Sequence, residues 1–243
     1  MSLYHTILSR WQSQQLRRPS DLDKALGEFN PLFAYHTERL EGREADLETA
    51  REYFQTGTVS QFTGDPQMLI RLYDQKRCYE YLRERVLARD EMDTALVLEL
   101  HRILNSGAYN DPALLRRGER AGEFKKQDLV APAGGAGSPA REVGRELDQL
   151  MEEVSGYCGT ELLSAAAYLH CRFENIHPFA AGNGATGRVL LNFFLLCRDH
   201  PPLVIFSEDK ERYLQCLTTY DNTRDPRPMR DFLEEELSKT WLP

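Results

Sequence analysis

One short segment carries the residue types from which a reactive site could be built, and it reads His177-Pro-Phe-Ala-Ala-Gly-Asn-Gly-Ala-Thr-Gly-Arg188. Pro178 disfavours helical geometry for His177, so the preceding helix is predicted to end there. Three glycines in the segment permit close approaches and backbone conformations that a side chain would forbid. The residues from Val189 to Leu196 are mostly apolar, which predicts a helix buried on nearly every side.

A glycine-rich turn that opens onto a buried helix is a binding site for anions. The first N–H groups of the helix have no partner within it, and the helix dipole adds positive potential at the same end. His177 would stand at the mouth of this site, where a histidine can act as a general base. This combination indicates phosphoryl or nucleotidyl transfer. The alternative for His177 is a buried histidine that only ends a helix.

The segment resembles the signature of the Fic (Fic/Doc) family, which reads His-x-Phe-x-(Asp/Glu)-Gly-Asn-Gly-(Arg)-x-x-Arg. The positions that agree are His177, Pro178, Phe179, Gly182, Asn183, Gly184, Gly187 and Arg188. Ala181 stands where the family has a carboxylate that coordinates magnesium, and Ala185 where it has its first phosphate-binding arginine. Most Fic proteins transfer AMP from ATP to a hydroxyl side chain of another protein. The resemblance therefore implies ATP with Mg²⁺ as the donor and an unidentified protein as the target.

The resemblance also implies roles for individual residues. His177 would be the catalytic base, taking the proton from the target hydroxyl as it attacks the α-phosphorus. The implied nucleotide-binding set is Phe179, Gly182, Asn183, Gly184, Gly187 and Arg188. Within it, Phe179 would anchor the loop in the core, and backbone N–H groups of the Gly-Asn-Gly turn would hold the α-phosphate. Arg188 would hold the γ-phosphate.

A second motif lies upstream, in Thr37-x-x-x-Glu41-Gly42. It resembles the inhibitory motif (Ser/Thr)-x-x-x-Glu-(Gly/Asn) of Fic proteins, whose glutamate pairs with the last arginine of the signature and blocks the place of the γ-phosphate. The resemblance thus implies a Glu41–Arg188 pair, an N-terminal inhibitory helix and autoinhibition. The alternative is a helix face that is simply solvated.

Residues 123–130 precede a Gly/Pro-rich turn and predict a small β-hairpin. Fic proteins have such a hairpin as a flap over the active site, where strand addition aligns the backbone of the target. The resemblance assigns target docking to Phe124, Lys125, Leu129 and Val130. The alternative is a surface loop.

The rest of the chain is predicted to be helical, with long helices near residues 67–88, 92–105, 160–176 and 228–241. On the first of these, Ile70, Tyr73 and Leu82 are expected to face inward, and His101 on the second is expected to be a packing residue. The prediction is an all-α Fic fold of eight or nine helices with the hairpin flap. The loop at residues 55–66 would divide an N-terminal segment (1–60) from a core domain (61–243).

The composition restricts the partners of the protein. Its 243 residues carry a net charge of −8, which argues against nucleic acid, because phosphate binding calls for a basic face. No apolar run approaches the roughly 18 residues of a membrane span, and no signal-peptide pattern begins the chain. Five cysteines without a close pair favour reduced thiols in the cytoplasm. Secretion into a host cell and homo-oligomerisation stay open.

The two alanines limit the activity that the resemblance implies. Ala181 cannot bind Mg²⁺, a hard cation that takes oxygen ligands, and no other metal site is predicted. Because one lost donor costs on the order of 10²–10³ in rate, losing two predicts about 10⁴ or worse. We therefore expect a Fic-type adenylyltransferase with weak or no activity. The alternatives are a catalytically dead scaffold that binds a protein, and a transferase with another donor, either phosphocholine or a phosphate.

Overall fold

The computed structural model describes residues 2–128 and 137–242, and that part of the chain forms twelve α-helices and two 3₁₀ turns. The first six helices are α1 (Leu3–Ser13), α2 (Pro19–Ala25), α3 (Phe29–Leu40), α4 (Leu47–Thr56), α5 (Pro66–Ala88) and α6 (Thr94–Asn105). The other six are α7 (Pro112–Arg116), α8 (Val143–Ser155), α9 (Leu162–Ile176), α10 (Asn183–Leu196), α11 (Lys210–Thr223) and α12 (Arg227–Trp241). The 3₁₀ turns are Ala108–Asn110 and Ser207–Asp209.

The four long predicted helices are confirmed as α5, α6, α9 and α12, and their ends have local causes. Asp65 caps α5 through the N–H of Gln67, and Asp93 caps α6 through the N–H of Leu96, which satisfies donors that a helix start leaves unpaired. The predicted count of eight or nine helices was too low, because short helices such as α7 have no long apolar period. Ile70 and Tyr73, which were expected to face inward, are 40% and 48% exposed.

The core is built around α9 and α10. Phe173, Phe193 and Phe194 on these helices are almost completely buried. Helix α9 contacts α8, α11 and α12, while α10 contacts α5 and α6. The prediction that the helix after the motif is buried on nearly every side is thereby confirmed. The motif loop, residues 177–182, thus connects the two most enclosed helices of the structure.

The N-terminal helices pack on the same core. The ring of Trp11 on α1 lies 5.2 Å from that of Trp241, and the ring of Phe29 on α3 stacks on Trp241 at 6.0 Å. The division of the chain at residue 60 stays a prediction. No helix within the described residues is long and apolar enough to cross a bilayer.

The predicted β-hairpin flap is wrong, because no residue that the structure describes belongs to a strand. Leu129 and Val130, two of its four assigned residues, lie outside the described residues. The backbone N–H of Lys125 donates to the carbonyl oxygen of Pro178 at 2.9 Å, and that of Lys126 donates to the Glu119 carboxylate at 3.1 Å. These donors are engaged with the motif loop and with a side chain, so they are not free to pair with a second strand.

Candidate active site

The motif loop is closed by the side chain of its own asparagine. Asn183 Oδ1 accepts a hydrogen bond from the N–H of Phe179 at 2.9 Å, and Asn183 Nδ2 donates to the carbonyl oxygen of Phe179 at 2.8 Å. Asn183 is 3% exposed, so both bonds are shielded from water. The side chain of this residue therefore shapes the loop and leaves only its backbone N–H for a ligand.

Phe179 fixes the middle of the motif loop in the core. Its side chain is fully buried, and the ring of His101 stacks on it at 3.6 Å with an interplanar angle of 7°. The ring of Phe124 lies on the same residue at 6.3 Å. Phe124 and Lys125, which were assigned to the flap, thus contact the motif loop itself.

The backbone of Ala181 is clamped from α6 and from the turn after it. The N–H of Gly122 donates to His101 Nδ1 at 2.8 Å, so the proton of the neutral ring is on Nε2, which donates to the Ala181 carbonyl oxygen at 2.9 Å. The Tyr109 hydroxyl donates to the same oxygen at 3.2 Å and accepts from the N–H of Ala181 at 3.1 Å. Burial lowers the pKa of His101 to about 4, which keeps the ring neutral near pH 7.

Asn105 supports the loop one helical turn after His101. Gly182 has φ of 81°, and a Cβ atom at this residue would lie 2.1 Å from Asn105 Oδ1; no other residue type fits there. Asn105 Nδ2 donates to the carbonyl oxygen of His101. Sequence reasoning missed Asn105 and Tyr109 and treated His101 as packing only. The available signal was the i, i+4 spacing of two polar residues on a helix with an otherwise apolar face.

His177 ends α9 in the left-handed conformation, with φ of 51°. Its side chain is 8% exposed, and the 2% exposed Lys125 lies beside it. A Cβ atom on Gly137 would lie 3.0 Å from Lys125 Nζ and 3.1 Å from His177 Cβ. Burial, followed by the charge of Lys125, lowers the pKa of His177 to about 4. The imidazole is therefore neutral at pH 7 and can accept a proton.

Thr37, Glu41 and Arg188 come together at the start of α10. Arg188 Nη2 donates to Glu41 Oε1 at 2.7 Å and reaches the carbonyl oxygen of Thr37 at 3.5 Å. Arg188 is 3% exposed and the Glu41 side chain 25%. Burial opposes ionisation of Glu41, but the charge and hydrogen bond of Arg188 outweigh it and hold the pKa of Glu41 below its usual value. Gly42, with φ of 79°, follows as the helix stop.

The Glu41 carboxylate occupies the space in front of the first turn of α10. A Cβ atom on Gly184 would lie 2.6 Å from Glu41 Oε1 and 3.0 Å from Arg188 Nη1. The carboxylate is thus held beside the first turn of α10 by its pair with Arg188, at the end of the helix where an anion is favoured. The residues around it fit a phosphate group. Ala185 lies half-buried in the same turn and offers only its backbone.

The C-terminal part of helix α3, just before Glu41, is docked by ionisable side chains. Glu38 is 3% exposed and accepts hydrogen bonds from Gln75 Nε2 and Arg43 Nη1, each at 2.9 Å. His36 Nδ1 accepts from the N–H of Ser207 at 3.1 Å. These contacts determine where Glu41 lies, and nothing in the inhibitory motif itself predicts them.

Magnesium does not fit the residues present. The Ala181 side chain has no oxygen, and the carbonyl oxygen of this residue is engaged by His101 and Tyr109. Within residues 2–128 and 137–242, no group of three or more His, Cys, Asp or Glu side chains could hold a metal ion.

The comparison with known proteins agrees with this geometry. Residues 91–195 match the family model described as the Fic/DOC family. This segment of the chain is similar to the Fic family. The "Protein adenylyltransferase Fic" proteins of Drosophila persimilis and Drosophila ananassae are each 28% identical to it over 213 residues, which is 85% of the chain. The chain spans 39% and 40% of these relatives, about two fifths of their length.

Two solved structures show that the helical fold is that of Fic proteins. A Fic-domain-containing signaling protein from Bacteroides thetaiotaomicron superposes with a TM-score of 0.83 at 23% identity, covering 98% of this chain and 95% of that one. Fic-1 from C. elegans superposes with a TM-score of 0.77 at 22% identity, covering 98% of this chain and 69% of that one. The all-α part of the fold prediction is thereby confirmed.

Proposed function

We propose that this protein is a Fic-type protein adenylyltransferase, closed by Glu41 and weakened by Ala181 and Ala185. The observation that carries the proposal is the Glu41 carboxylate, which lies against Gly184 and on Arg188. A site that binds an anion of its own at a helix N-terminus is built for an anionic ligand. The adenylyltransferase relatives favour ATP as that ligand.

Each residue would act through a contact that the geometry supports. His177 would accept the proton of the attacking hydroxyl, since its pKa of about 4 keeps the imidazole neutral. The free N–H groups of the first turn of α10 would hold the α-phosphate. Arg188 would take the γ-phosphate once Glu41 has left. The N-terminal segment, residues 1–60, would then be the regulatory part and residues 61–243 the transferase core.

The two alanines act on charge stabilisation and leave the loop geometry intact. The loop is held by Asn183, His101 and Tyr109, and none of these bonds uses the side chain of residue 181 or 185. Transfer of this type depends mainly on positioning and on neutralising phosphate charge. We therefore expect transfer to be slower by about 10⁴ or more than in a protein with both side chains.

The intact geometry of the loop also favours a second candidate function, a scaffold that binds a protein without catalysis. A loop that keeps its shape without its phosphate-binding side chains can preserve a docking surface in the absence of transfer. In that case Glu41 would be a structural partner of Arg188.

The test is a transfer assay with α-labelled ATP and magnesium that scores self-labelling and labelling of lysate proteins. Three proteins are compared: the chain itself, Glu41→Gly, and Glu41→Gly with Ala181→Asp and Ala185→Arg. We expect label only in the third, and its loss when His177→Ala is added as the control. Strong labelling by the unaltered chain would contradict the proposal that Ala181 and Ala185 weaken transfer. No labelling by any of the three proteins would favour the scaffold function.

A further inference from the structure

Glu174 on α9 is half-buried, and one buried oxygen of its carboxyl group faces the backbone of α10 beside Arg188. Glu174 Oε1 has no hydrogen-bond partner within the described residues, and the same holds for Arg188 Nε. A Cβ atom on Gly187 would lie 2.8 Å from Glu174 Oε1, so the carboxyl group contacts the residue next to Arg188. One carboxyl oxygen of Glu174 and the N–H at Arg188 Nε are therefore both buried and unpaired between α9 and α10, where each unpaired group is costly.

The charges around Glu174 explain why the two groups are unpaired here. The ionisable groups that face it are Arg188 from α10, Glu41 from α3, Asp221 and Tyr213 from α11, and His170 on its own helix. Burial raises the pKa of Glu174 to about 7; the charge of Arg188 opposes the rise, and those of Glu41 and Asp221 add to it. Burial also lowers the pKa of His170 to about 3, so His170 supplies no positive charge. Glu41 already neutralises Arg188, and Glu174 keeps its proton below about pH 7.

We propose that Glu174 is the second partner of Arg188 and takes over the guanidinium when Glu41 leaves. Glu174 then loses its proton to solvent and holds Arg188 at the start of α10. When an anion binds Arg188, Glu174 takes a proton up again. Glu174 is thus a positioning residue that couples anion binding to proton uptake. The exchange of ion pairs depends only on Glu41, Glu174 and Arg188, whereas the identity of the anion as ATP rests on the proposed function.

The ion-pair exchange is tested without nucleotide, by thermal melting of four proteins at pH 6.0, below the pKa of Glu174 of about 7: the chain, Glu41→Gln, Glu174→Gln and the double variant. In the unaltered chain, Glu174→Gln replaces a largely neutral acid by an amide, and we expect a Tm change of about 2 °C or less. In the Glu41→Gln background the same change removes the last carboxylate from a buried guanidinium, and we expect a fall of at least about 6 °C.

Asp221→Asn is the matched control, because Asp221 also raises the pKa of Glu174 but accepts its hydrogen bond from Asn175. Asp221→Asn should shift Tm by the same amount in the unaltered chain and in the Glu41→Gln variant. Equal shifts for Glu174→Gln in both backgrounds would overturn the proposal. If both single variants fold and the double variant does not, the loss exceeds the sum of the two and supports the exchange.

Calorimetry then tests the coupling to an anion. ATP is titrated into Glu41→Gly at pH 7.5 in MOPS and in Tris, which differ in ionisation enthalpy. We expect more proton uptake per ATP bound than in the same protein with Glu174→Gln. Equal uptake would overturn the coupling. If no variant binds ATP, the proposed function fails and the melting result still decides the role of Glu174.

Discussion

The motif loop and helix α3 contribute to one site, but they are held there in opposite ways. The loop is held by neutral hydrogen bonds and stacked rings that are buried or partly buried, such as the contacts of Asn183 and His101 with Phe179. The start of helix α3 packs in the core through Phe29, whereas its C-terminal end is held by ionisable side chains, among them Glu38 and Glu41. Charged groups regain hydration when a contact opens, whereas buried neutral groups lose packing that water cannot replace. We therefore propose that the loop is the fixed region and that the C-terminal end of α3, with Glu41, is the region that can leave.

The largest expected effect concerns the ring at the centre of the fixed region. Phe179→Ala should lower the free energy of unfolding by about 3–5 kcal/mol, because it leaves a cavity between His101, Phe124 and Phe173. Urea unfolding measures the loss, with Phe179→Leu as the control that keeps most of the volume. A loss below about 1 kcal/mol for the alanine variant would mean that the loop is not anchored by this ring.

Acid should weaken the loop through His101. Its folded pKa is about 4, below the ordinary value of 6.5, so the unfolded chain binds the proton more tightly between these two values. Stability from this residue is complete above about pH 6.5 and falls as the pH drops to 4, by roughly 3 kcal/mol. His101→Gln should remove this part of the pH dependence in melts from pH 7 to 4. An unchanged slope would exclude a buried neutral ring here.

Asn183 tests whether the loop is closed by its own side chain. Asn183→Ala leaves the N–H and the carbonyl oxygen of Phe179 unpaired, which should cost about 2–3 kcal/mol. Hydrogen exchange at the Phe179 amide should become faster in the variant. The control Asn192→Ala removes a similar pair of bonds to Leu203, far along α10, and should leave the Phe179 amide protected. Equal protection of that amide in both variants would contradict the closure.

A smaller effect is expected in α3, whose C-terminal end is the region that can leave. Glu38→Gln removes the charge that binds Arg43 and Gln75, and because Arg43 is one third exposed the cost should be only about 1 kcal/mol. Amide exchange in α3 should accelerate while exchange in α10 stays unchanged. Equal acceleration in both helices would remove the distinction between the two regions.

The sequence predicted the local structure of the site better than the contacts that support the loop from a distance, and the reason is the range of those contacts. Pro178 and the apolar run after Val189 act locally, so the ends of α9 and α10 could be inferred from neighbouring residues. The support from His101 and Tyr109 crosses more than seventy residues of chain. No local pattern reports such contacts.

The wrong predictions have the same origin. The hairpin flap was inferred from a short apolar segment before a turn, whereas the N–H of Lys125 pairs with the distant Pro178. Ile70 and Tyr73 on α5 are exposed but were predicted to face inward. Apolar periodicity shows which residues share a helix face, but it does not show whether another element covers that face. The proposed role of Glu174 could not be inferred from the sequence, since it depends on Arg188 and on Glu41, which is remote in sequence.

The central claim is that Glu41 occupies the anion site and can leave it while the loop stays in place. The most direct measurement is the affinity of ATP for the chain and for Glu41→Gly by calorimetry, with Glu38→Ala as a variant that loosens α3 and retains the carboxylate. We expect Glu41→Gly to bind ATP roughly 5–150-fold more tightly, the range of a typical coupling free energy, and Glu38→Ala to lie between it and the chain. Equal affinity in all three proteins would contradict the claim.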